Sequence, residues 1–432
     1  MSSTTPAAPP RIRRAVIAGT VGTLIEWYDY ALYGAAAGVV IKPLFFPDLV
    51  DSAGALAAFA TFAVGFVIRP IGGIVISHIG DRIGRKPALL LSVLLMGGAT
   101  VLIGALPTAL SIGVAASLLL IALRLIQGFG AGAELAGSIT LVAEYAPANR
   151  RGFLTALPNA ATAAGSTLAT LAFLGASALP GEALLDWAWR LPFLISAALF
   201  AVALYIRKRL DETPEYKSAS GTQPTAPIGE LLRRSPRQLI AGFLSVTGHN
   251  AWTYLLSTFS LSYLTGTLQV PATQALLAVV VATVVGFLLT PLFGQLSDRI
   301  GHRIVFAAGA IFALAFVFPM FAMIDTRNVW LVALALSAGY GLGFGCMAGA
   351  QAAFLANLFP VRYRFTGIAV TRELNGVAVA GPTPLIASAL VIAGGGAPYL
   401  VGIYIVGCCL LTVLGIALAG SSRTASGLAS SR

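Results

Sequence analysis

Apolar blocks, each about 18 residues or longer, recur along almost the whole length of this chain. A helix of about 20 residues is long enough to cross the hydrocarbon core of a bilayer. Hydrophobic residues occupy 57% of the 432 positions and charged residues only 10%, whereas about a quarter of an ordinary soluble domain is charged. We therefore expect the blocks to be transmembrane helices.

Counting the blocks predicts twelve helices and an all-α integral membrane protein. The blocks cover approximately residues 16–40, 54–78, 88–106, 112–135, 152–178, 188–206, 239–264, 275–296, 303–323, 329–356, 365–393 and 397–419. An even number of crossings places both termini on one side. A cleaved signal peptide is disfavoured, because Glu26 and Asp29 interrupt the apolar core of the first block.

The net charge of +11 is spread unevenly along the chain. With the N-terminus in the cytoplasm, six of the 27 lysines and arginines fall outside cytoplasmic segments, which leaves 27 minus 6, or 21, within them. The six are Lys42, Arg190 and Arg327 in outside loops and Arg69, Arg124 and Arg372 within helices. This asymmetry predicts a multi-pass protein of the bacterial inner (plasma) membrane with cytoplasmic N- and C-termini. The basic stretches lack interleaved aromatic residues, so nucleic-acid binding is not expected.

An internal repeat divides the chain. Residues 80–86 read Gly-Asp-Arg-Ile-Gly-Arg-Lys and residues 297–303 read Ser-Asp-Arg-Ile-Gly-His-Arg, with the aspartates 217 positions apart (298 minus 81). We therefore expect a six-helix bundle at 1–206, a polar cytoplasmic linker at 207–238 and a second six-helix bundle at 239–432.

Several local motifs extend this pattern. They are Glu-Trp-Tyr-Asp-Tyr at 26–30, Arg69-Pro70, Arg124 with Gln127-Gly128 and Glu134, Trp-Arg-Leu-Pro-Phe at 189–193, Glu-Thr-Pro-Glu at 212–215, and Gly-Ala-Gln at 349–351. With these motifs the chain resembles the major facilitator superfamily, and within it the metabolite:proton symporters typified by shikimate, proline/betaine and α-ketoglutarate carriers. The resemblance implies two pseudo-symmetric six-helix bundles that work by alternating access. Ser77 and His302 depart from the loop residues usual in the family.

The two repeated loops are expected to gate the transporter. Their aspartates can engage arginines or helix N-termini across a cytoplasmic seam and so hold one conformation shut. The predicted gating residues are Asp81, Arg82, Arg85, Asp298, Arg299 and Arg303. The alternative is that the basic residues only anchor the topology, which accounts for neither the aspartates nor the paired glycines.

Charged residues inside the predicted helices indicate the chemistry. Glu26 on the first helix, and Arg69 on the second, lie near the bilayer midplane, where ionised groups are costly and should face the interior. An arginine that moves toward solute would leave a carboxylate free to take up a proton. The predicted proton-coupling residues are Asp29, Glu26 and Glu134. A static ion-pair lock between helices is the alternative for any one of them.

Polar residues at similar depth make up the predicted solute site. They are Arg69, Arg124, Gln127, Tyr30, His249, Asn250, Tyr254, Gln351, Arg372 and Asn375. Arg372 shares its helix with Glu373, so the C-terminal half offers a cation, a carboxylate and amide donors. Guanidinium groups bind carboxylates in a two-point manner, which favours an anionic or zwitterionic solute. His249 could instead be only hydrogen-bonded, and the aromatic residues could serve packing alone.

These observations favour a secondary active transporter, a proton-coupled symporter that takes up a small organic acid or zwitterionic metabolite. The alternative is a proton-linked exporter of a metabolite or drug. The three cysteines and three histidines are dispersed. We therefore expect no metal site, no enzyme active site and no cofactor. The expected partners are the solute, protons and the lipid bilayer, and one chain should function as a monomer.

Overall fold

The computed structural model of the chain describes residues 9–49, 51–83, 85–132, 134–179, 183–208, 231–233, 235–359 and 364–420. A few side chains within these ranges, including those of residues 77–89, lie outside the described set. The described part consists of helices and short connections, with no strand.

Six helices form the N-terminal half. They are α1 (Pro9–Ala36, a π-helical turn Ala37–Ile41, and Lys42–Phe45), α2 (Asp51–Val67 and Arg69–Ile83), α3 (Arg85–Ala105), α4 (Val114–Ala131 and Glu134–Tyr145), α5 (Arg151–Ser177) and α6 (a π-helical turn Leu184–Ala188, and Arg190–Lys208).

Six more helices form the C-terminal half. They are α7 (Pro236–Tyr254, π-helical turns Leu255–Phe259 and Tyr263–Thr267, and Ser260–Ser262 between them), α8 (Ala272–Ile300), α9 (His302–Asp325), α10 (Val329–Ala338, a π-helical turn Gly339–Phe344, and Gly345–Leu358), α11 (Arg364–Asn375, a π-helical turn Gly376–Ala380, and Pro382–Ala393) and α12 (Tyr399–Leu418).

The predicted all-α fold of twelve helices in two halves is confirmed. Nine helices of the described part are long and apolar enough to cross a membrane. Of the other three, α1 and α7 carry polar residues of the predicted site, and the apolar part of α3 is the shorter Leu90–Ala105. The predicted linker at 207–238 falls mostly outside the described residues, and the boundaries of the halves remain a prediction.

Helix α2 is broken beside its arginine. Pro70 has no N–H and its ring crowds the carbonyl four residues earlier, which disfavours a regular helix at this point. The two segments of α2 accordingly end at Val67 and resume at Arg69. Two predicted site residues, Tyr254 and Asn375, also end an α-helical segment immediately before a π-helical turn. Such π-helical turns occur frequently at functional sites.

Small residues allow α5 to approach helices of both halves closely. A Cβ atom on Gly165 would lie 2.4 Å from the carbonyl oxygen of Leu24 on α1. On its other side α5 packs along α8 of the C-terminal half, and Thr167 Oγ1 donates to Thr283 Oγ1 at 2.8 Å. Close backbone approach through glycine is typical of packing between membrane helices. Helix α5 therefore packs against helices of both halves.

Candidate functional site

A buried triad of charged side chains joins the two halves. Arg69 Nη2 on α2 lies 3.1 Å from Glu26 Oε1 on α1. The same guanidinium donates from Nε to Glu373 Oε2 at 2.9 Å and from Nη2 to Glu373 Oε1 at 3.2 Å, and Glu373 belongs to α11. The exposed fractions of the Glu26, Arg69 and Glu373 side chains are 1%, 9% and 13%. Charges at such depth are stable only when paired, and here the pairing crosses between the halves.

The break in α2 and two aromatic rings position this arginine. The Arg69 guanidinium carbon lies 5.0 Å from the Tyr30 ring centroid and 5.6 Å from that of Phe66. Both distances fall within the range of a cation–π contact, which strengthens when water is excluded. One turn of α1 thus supplies Glu26 and Tyr30, an acid and a ring, to the same arginine.

A second polar network lies within the N-terminal half. Asp29 accepts hydrogen bonds from Thr100 Oγ1 and, at 2.5 Å, from Gln127 Nε2. Arg124 donates to Gln127 Oε1 and, at 3.0 Å, to the carbonyl oxygen of Phe62. Asp29 is therefore joined to the Arg124 guanidinium through an amide side chain.

Arg124 is fully enclosed by this half. Its side chain is buried, and the guanidinium carbon lies 4.0 Å from the centroid of the Tyr33 ring. Arg124 and Gln127 are three residues apart on α4 and so share one face of the helix, as the sequence predicts. Glu134 is also buried, at the start of the second segment of α4.

The C-terminal half contributes hydrogen-bonding side chains. Arg372 Nη1 donates to Gln351 Oε1 at 2.7 Å. Asn250 Nδ2 donates to Asn375 Oδ1 at 2.7 Å, while Asn375 Nδ2 donates to the carbonyl oxygen of Phe243 at 3.0 Å. These contacts connect α7, α10 and α11 around the centre of this half.

Aromatic residues also form contacts between the two halves. Tyr254 of α7 lies against three rings of the N-terminal half, with centroid distances of 5.8 Å to Trp27, 5.7 Å to Phe62 and 5.5 Å to Phe66. The His249 ring stacks on Phe344 at 5.5 Å within the C-terminal half. Tyr254 therefore crosses between the halves, whereas His249 does not.

Several buried polar atoms of the site have no hydrogen-bond partner among the residues that the structure describes. They are Glu26 Oε2, Tyr30 Oη, His249 Nδ1 and Gln351 Nε2. Each belongs to a residue that the sequence predicts for coupling or solute binding. Leaving a buried donor or acceptor unpaired costs free energy, so such groups call for an explanation. A polar ligand between the halves would satisfy them.

Contacts between the halves cover the triad from both directions. We define the motif end as the end of the molecule where α8 passes into α9 at Gly301. At this end Asp298 Oδ1 accepts from the Gly152 N–H at 2.7 Å and Oδ2 from the Phe153 N–H at 2.9 Å. Toward the opposite end, a Cβ atom on Gly34 of α1 would lie 2.7 Å from Thr258 Oγ1 of α7. The centre is enclosed between these two contacts.

Two other predicted gating residues, Arg299 and Arg303, lie near Asp298 in the chain. Arg299 is exposed and Arg303 is half-buried, both at the motif end. His302 Nδ1 lies 2.9 Å from Ser297 Oγ, so the histidine is held by its own loop. The side chains of Asp81, Arg82 and Arg85 lie outside the described residues.

A separate cavity of about 570 Å³ lies at the motif end of the C-terminal half. It is lined by Arg237, His302 and Arg303 among others, and by none of the predicted solute-binding residues. The buried charges and unpaired polar atoms lie elsewhere, so we place the candidate site at the triad.

Sequence reasoning left two residues out of the predicted site. Thr100 binds Asp29, and nothing in its apolar surroundings marks it in the sequence. Glu373 forms the ion pair across the halves. Its signal was present, since an acid within an apolar helix rarely lacks a functional partner.

Two six-helix halves around a buried charged centre are typical of membrane transporters that bind their solute between the repeats. The profile of the Major Facilitator Superfamily matches residues 19–382. The shikimate transporter of Escherichia coli is 34% identical over 421 residues, which is 96% of each chain. The proline/betaine transporter of Escherichia coli is 33% identical over 394 residues, covering 88% of this chain and 78% of that one.

The fold comparison agrees. The crystal structure of a D-xylose-proton symporter superposes with a TM-score of 0.74 at 20% sequence identity, covering 95% of this chain and 97% of that chain. The chain therefore belongs to the Major Facilitator Superfamily, as the sequence motifs predict, and is a transporter.

Proposed function

We propose that this transporter is a proton-coupled symporter that takes up a small organic acid or zwitterion by alternating access. The observation that carries the proposal is the Glu26–Arg69–Glu373 triad, a buried set of ion pairs shared by both halves. A solute that exchanges with one member of this triad changes the contact between the halves. Binding is thereby coupled to the rocking motion.

The chemistry of the centre favours a carboxylate-bearing solute. Arg69 and Arg372 supply guanidinium donors, Gln351 and Asn250 supply amide groups, and the Tyr30 hydroxyl lies buried beside them. Shikimate and proline, the solutes in the names of two relatives, each carry one carboxylate. Arg124 and Gln127 support the same site indirectly. Gln127 donates a hydrogen bond to Asp29, and Arg124 donates one to the Phe62 carbonyl oxygen of α2.

Protons are carried by the acids of the N-terminal half. Asp29, the leading candidate, is buried; Thr100 and Gln127 donate hydrogen bonds to it, and the Arg124 guanidinium lies within electrostatic range. Glu26 is buried against Arg69, and Glu134 is buried on α4. A carboxylate in such a place gains a proton when its cationic neighbour is engaged elsewhere. Solute and proton therefore bind together.

The motif end closes on the cytoplasmic side under the positive-inside rule, with both termini cytoplasmic. The contact of Asp298 with the N-terminus of α5 holds this side shut. Opening requires the contact to break, which assigns Asp298 and its counterpart Asp81 to gating. One chain supplies both halves of the site and acts as a monomer in the bacterial inner membrane.

The test is transport by purified protein in liposomes. Thermal-shift measurements with shikimate, proline and glycine betaine select the solute to be used. An inward proton gradient should drive its accumulation, and a protonophore should abolish it. Asp29→Asn should lose gradient-driven accumulation but retain exchange of solute at equal concentrations. Asp48→Asn, which alters an exposed acid, should retain both.

Accumulation by Asp29→Asn with unchanged proton stoichiometry would remove Asp29 from the coupling site. Dependence on sodium instead of protons would overturn the symport assignment. The second candidate, a proton-linked exporter, uses the same buried charges in the reverse direction. Transport in oriented vesicles under an inward proton gradient separates the two, since a symporter accumulates the solute whereas an exporter moves it out.

A further inference from the structure

We propose that Glu373 is a tethered stand-in for the carboxylate of the transported solute, holding the solute's place on Arg69 in the empty carrier. The proposal rests on the proposed function, transport of a carboxylate-bearing solute through the centre. It adds the identity of the binding group, the residue that competes for it and the reason the empty carrier closes.

The geometry of the Glu373 contact is that of a bound ligand. Its two carboxylate oxygens meet Nε and Nη2 of Arg69 at 2.9 Å and 3.2 Å. This two-point arrangement is the one in which a free carboxylate binds a guanidinium group. Glu26, by contrast, reaches the same arginine through one oxygen at 3.1 Å.

The two acids also differ in where they are anchored. Glu26 and Arg69 both belong to the N-terminal half, so their contact can persist when the halves move apart. Glu373 belongs to the C-terminal half, so its contact must break in such a movement. Its side chain is 13% exposed against 1% for Glu26, and it is therefore the easier of the two to displace.

Counting formal charges explains why solute and proton travel together. Glu26, Glu373, Arg69 and Arg372 sum to zero in the empty carrier, and Arg372 lies within electrostatic range of both acids. A solute carboxylate that displaces Glu373 from Arg69 brings one extra negative charge. One proton taken up by an acid of the site restores neutrality, which a group buried at the midplane requires.

Two consequences follow for the carrier. The empty protein is neutral and closed on itself, so it can return through the occluded state without solute. A solute that lacks a carboxylate cannot displace Glu373, because a neutral group exchanges poorly with a paired carboxylate on guanidinium. Glu373 is thus a specificity-determining residue.

The experiment uses acetate as a minimal carboxylate and the purified full-length protein. Glu373→Ala removes the stand-in and opens the two-point position on Arg69. Acetate at about ten times its dissociation constant should then raise the melting temperature by about 1–2 °C relative to chloride at equal ionic strength. The wild type should respond little, because Glu373 already occupies the position.

Two controls identify the binding group. Acetamide, which matches acetate in shape but carries no charge, should have no effect on Glu373→Ala. Adding Arg69→Gln to Glu373→Ala should abolish the response to acetate. If Glu373→Ala does not fold, Glu373→Gln retains the side-chain volume and should show the same acetate-specific stabilisation with smaller amplitude.

Absence of an acetate-specific shift in the Glu373 variants overturns the proposal, as does an equal shift in the wild type or after Arg69 is replaced. The measurement needs no transport and no knowledge of the natural solute. Failure of proton-driven uptake would reject the proposed function and leave the acetate response as it is, so the two failures are distinguishable.

Discussion

Replacing Asp298 by asparagine should weaken closure of the motif end. The carboxylate of Asp298 accepts from the backbone N–H groups of Gly152 at 2.7 Å and Phe153 at 2.9 Å. They are among the first N–H groups of α5, which have no partner within the helix and form the positive end of its dipole. Asp298 therefore joins α8 of one half to α5 of the other through two charge-assisted hydrogen bonds.

The size of the effect follows from what asparagine retains. The asparagine side chain keeps one acceptor oxygen, which can bind one of the two N–H groups. Its NH₂ group is a donor and cannot accept a hydrogen bond from the other N–H group. Loss of one hydrogen bond to a charged group costs about 1.5–3 kcal/mol when buried. Because Asp298 is half-buried, solvent screening reduces this to about 1–2 kcal/mol, which changes a two-state equilibrium by a factor of about 5 to 30.

The assay is the distance between spin labels on the two halves at the motif end. Pro147 and Ile304 are both exposed and suit this purpose in a background without the three cysteines. Asp298→Asn should increase the ratio of the longer-distance to the shorter-distance population by the factor given above. Asp325→Asn is the matched control, because Asp325 accepts a hydrogen bond at 2.8 Å from Tyr263 within the same half.

An unchanged distance distribution in Asp298→Asn would show that the contact does not govern closure. So would an equal change in Asp325→Asn. In transport, the same variant should lower turnover more than it lowers affinity for solute, since Asp298 lies well away from the triad.

Three further predictions follow from packing and topology. Gly165→Val should destabilise the protein by about 1–3 kcal/mol through overpacking and so lower its melting temperature by about 1–3 °C, because its side chain would meet the α1 backbone. Gly175→Ala, with nothing within 4 Å of its Cβ position, should not. Arg124→Lys should reduce the yield of folded protein several-fold, measured by size-exclusion chromatography, since lysine cannot make the same set of planar contacts; normal yield would contradict this. An impermeant thiol reagent on intact cells should label a cysteine at Arg327 and spare one at Pro147; the reverse pattern would invert the topology.

Much of this architecture could be read from the chain before any coordinates. Apolar blocks long enough to span a bilayer predict helices, because backbone groups in lipid must be paired within their own segment. The recurrence of the loop at 80–86 as that at 297–303 predicts two halves. Glu26 and Arg69 could be placed at similar depth by counting residues, and the structure pairs them.

Partner choice across the halves required the tertiary structure. Asp29 and Glu26 are only three residues apart, yet one binds Thr100 and Gln127 while the other binds Arg69. Depth along a helix is a local quantity that residue counting supplies. The rotation of each helix about its axis, which decides which side chains meet, depends on packing against every neighbour.

Glu373 likewise separates what the sequence predicts from what the fold adds. An acid next to Arg372 within an apolar block is visible in the sequence, and such an acid is expected to face the protein interior. That it reaches past its own half to Arg69, at 2.9 Å, is seen in the folded protein alone. A contact between residues 304 positions apart carries no local signature, because it arises from how two separately packed bundles come together rather than from the chain on either side of it.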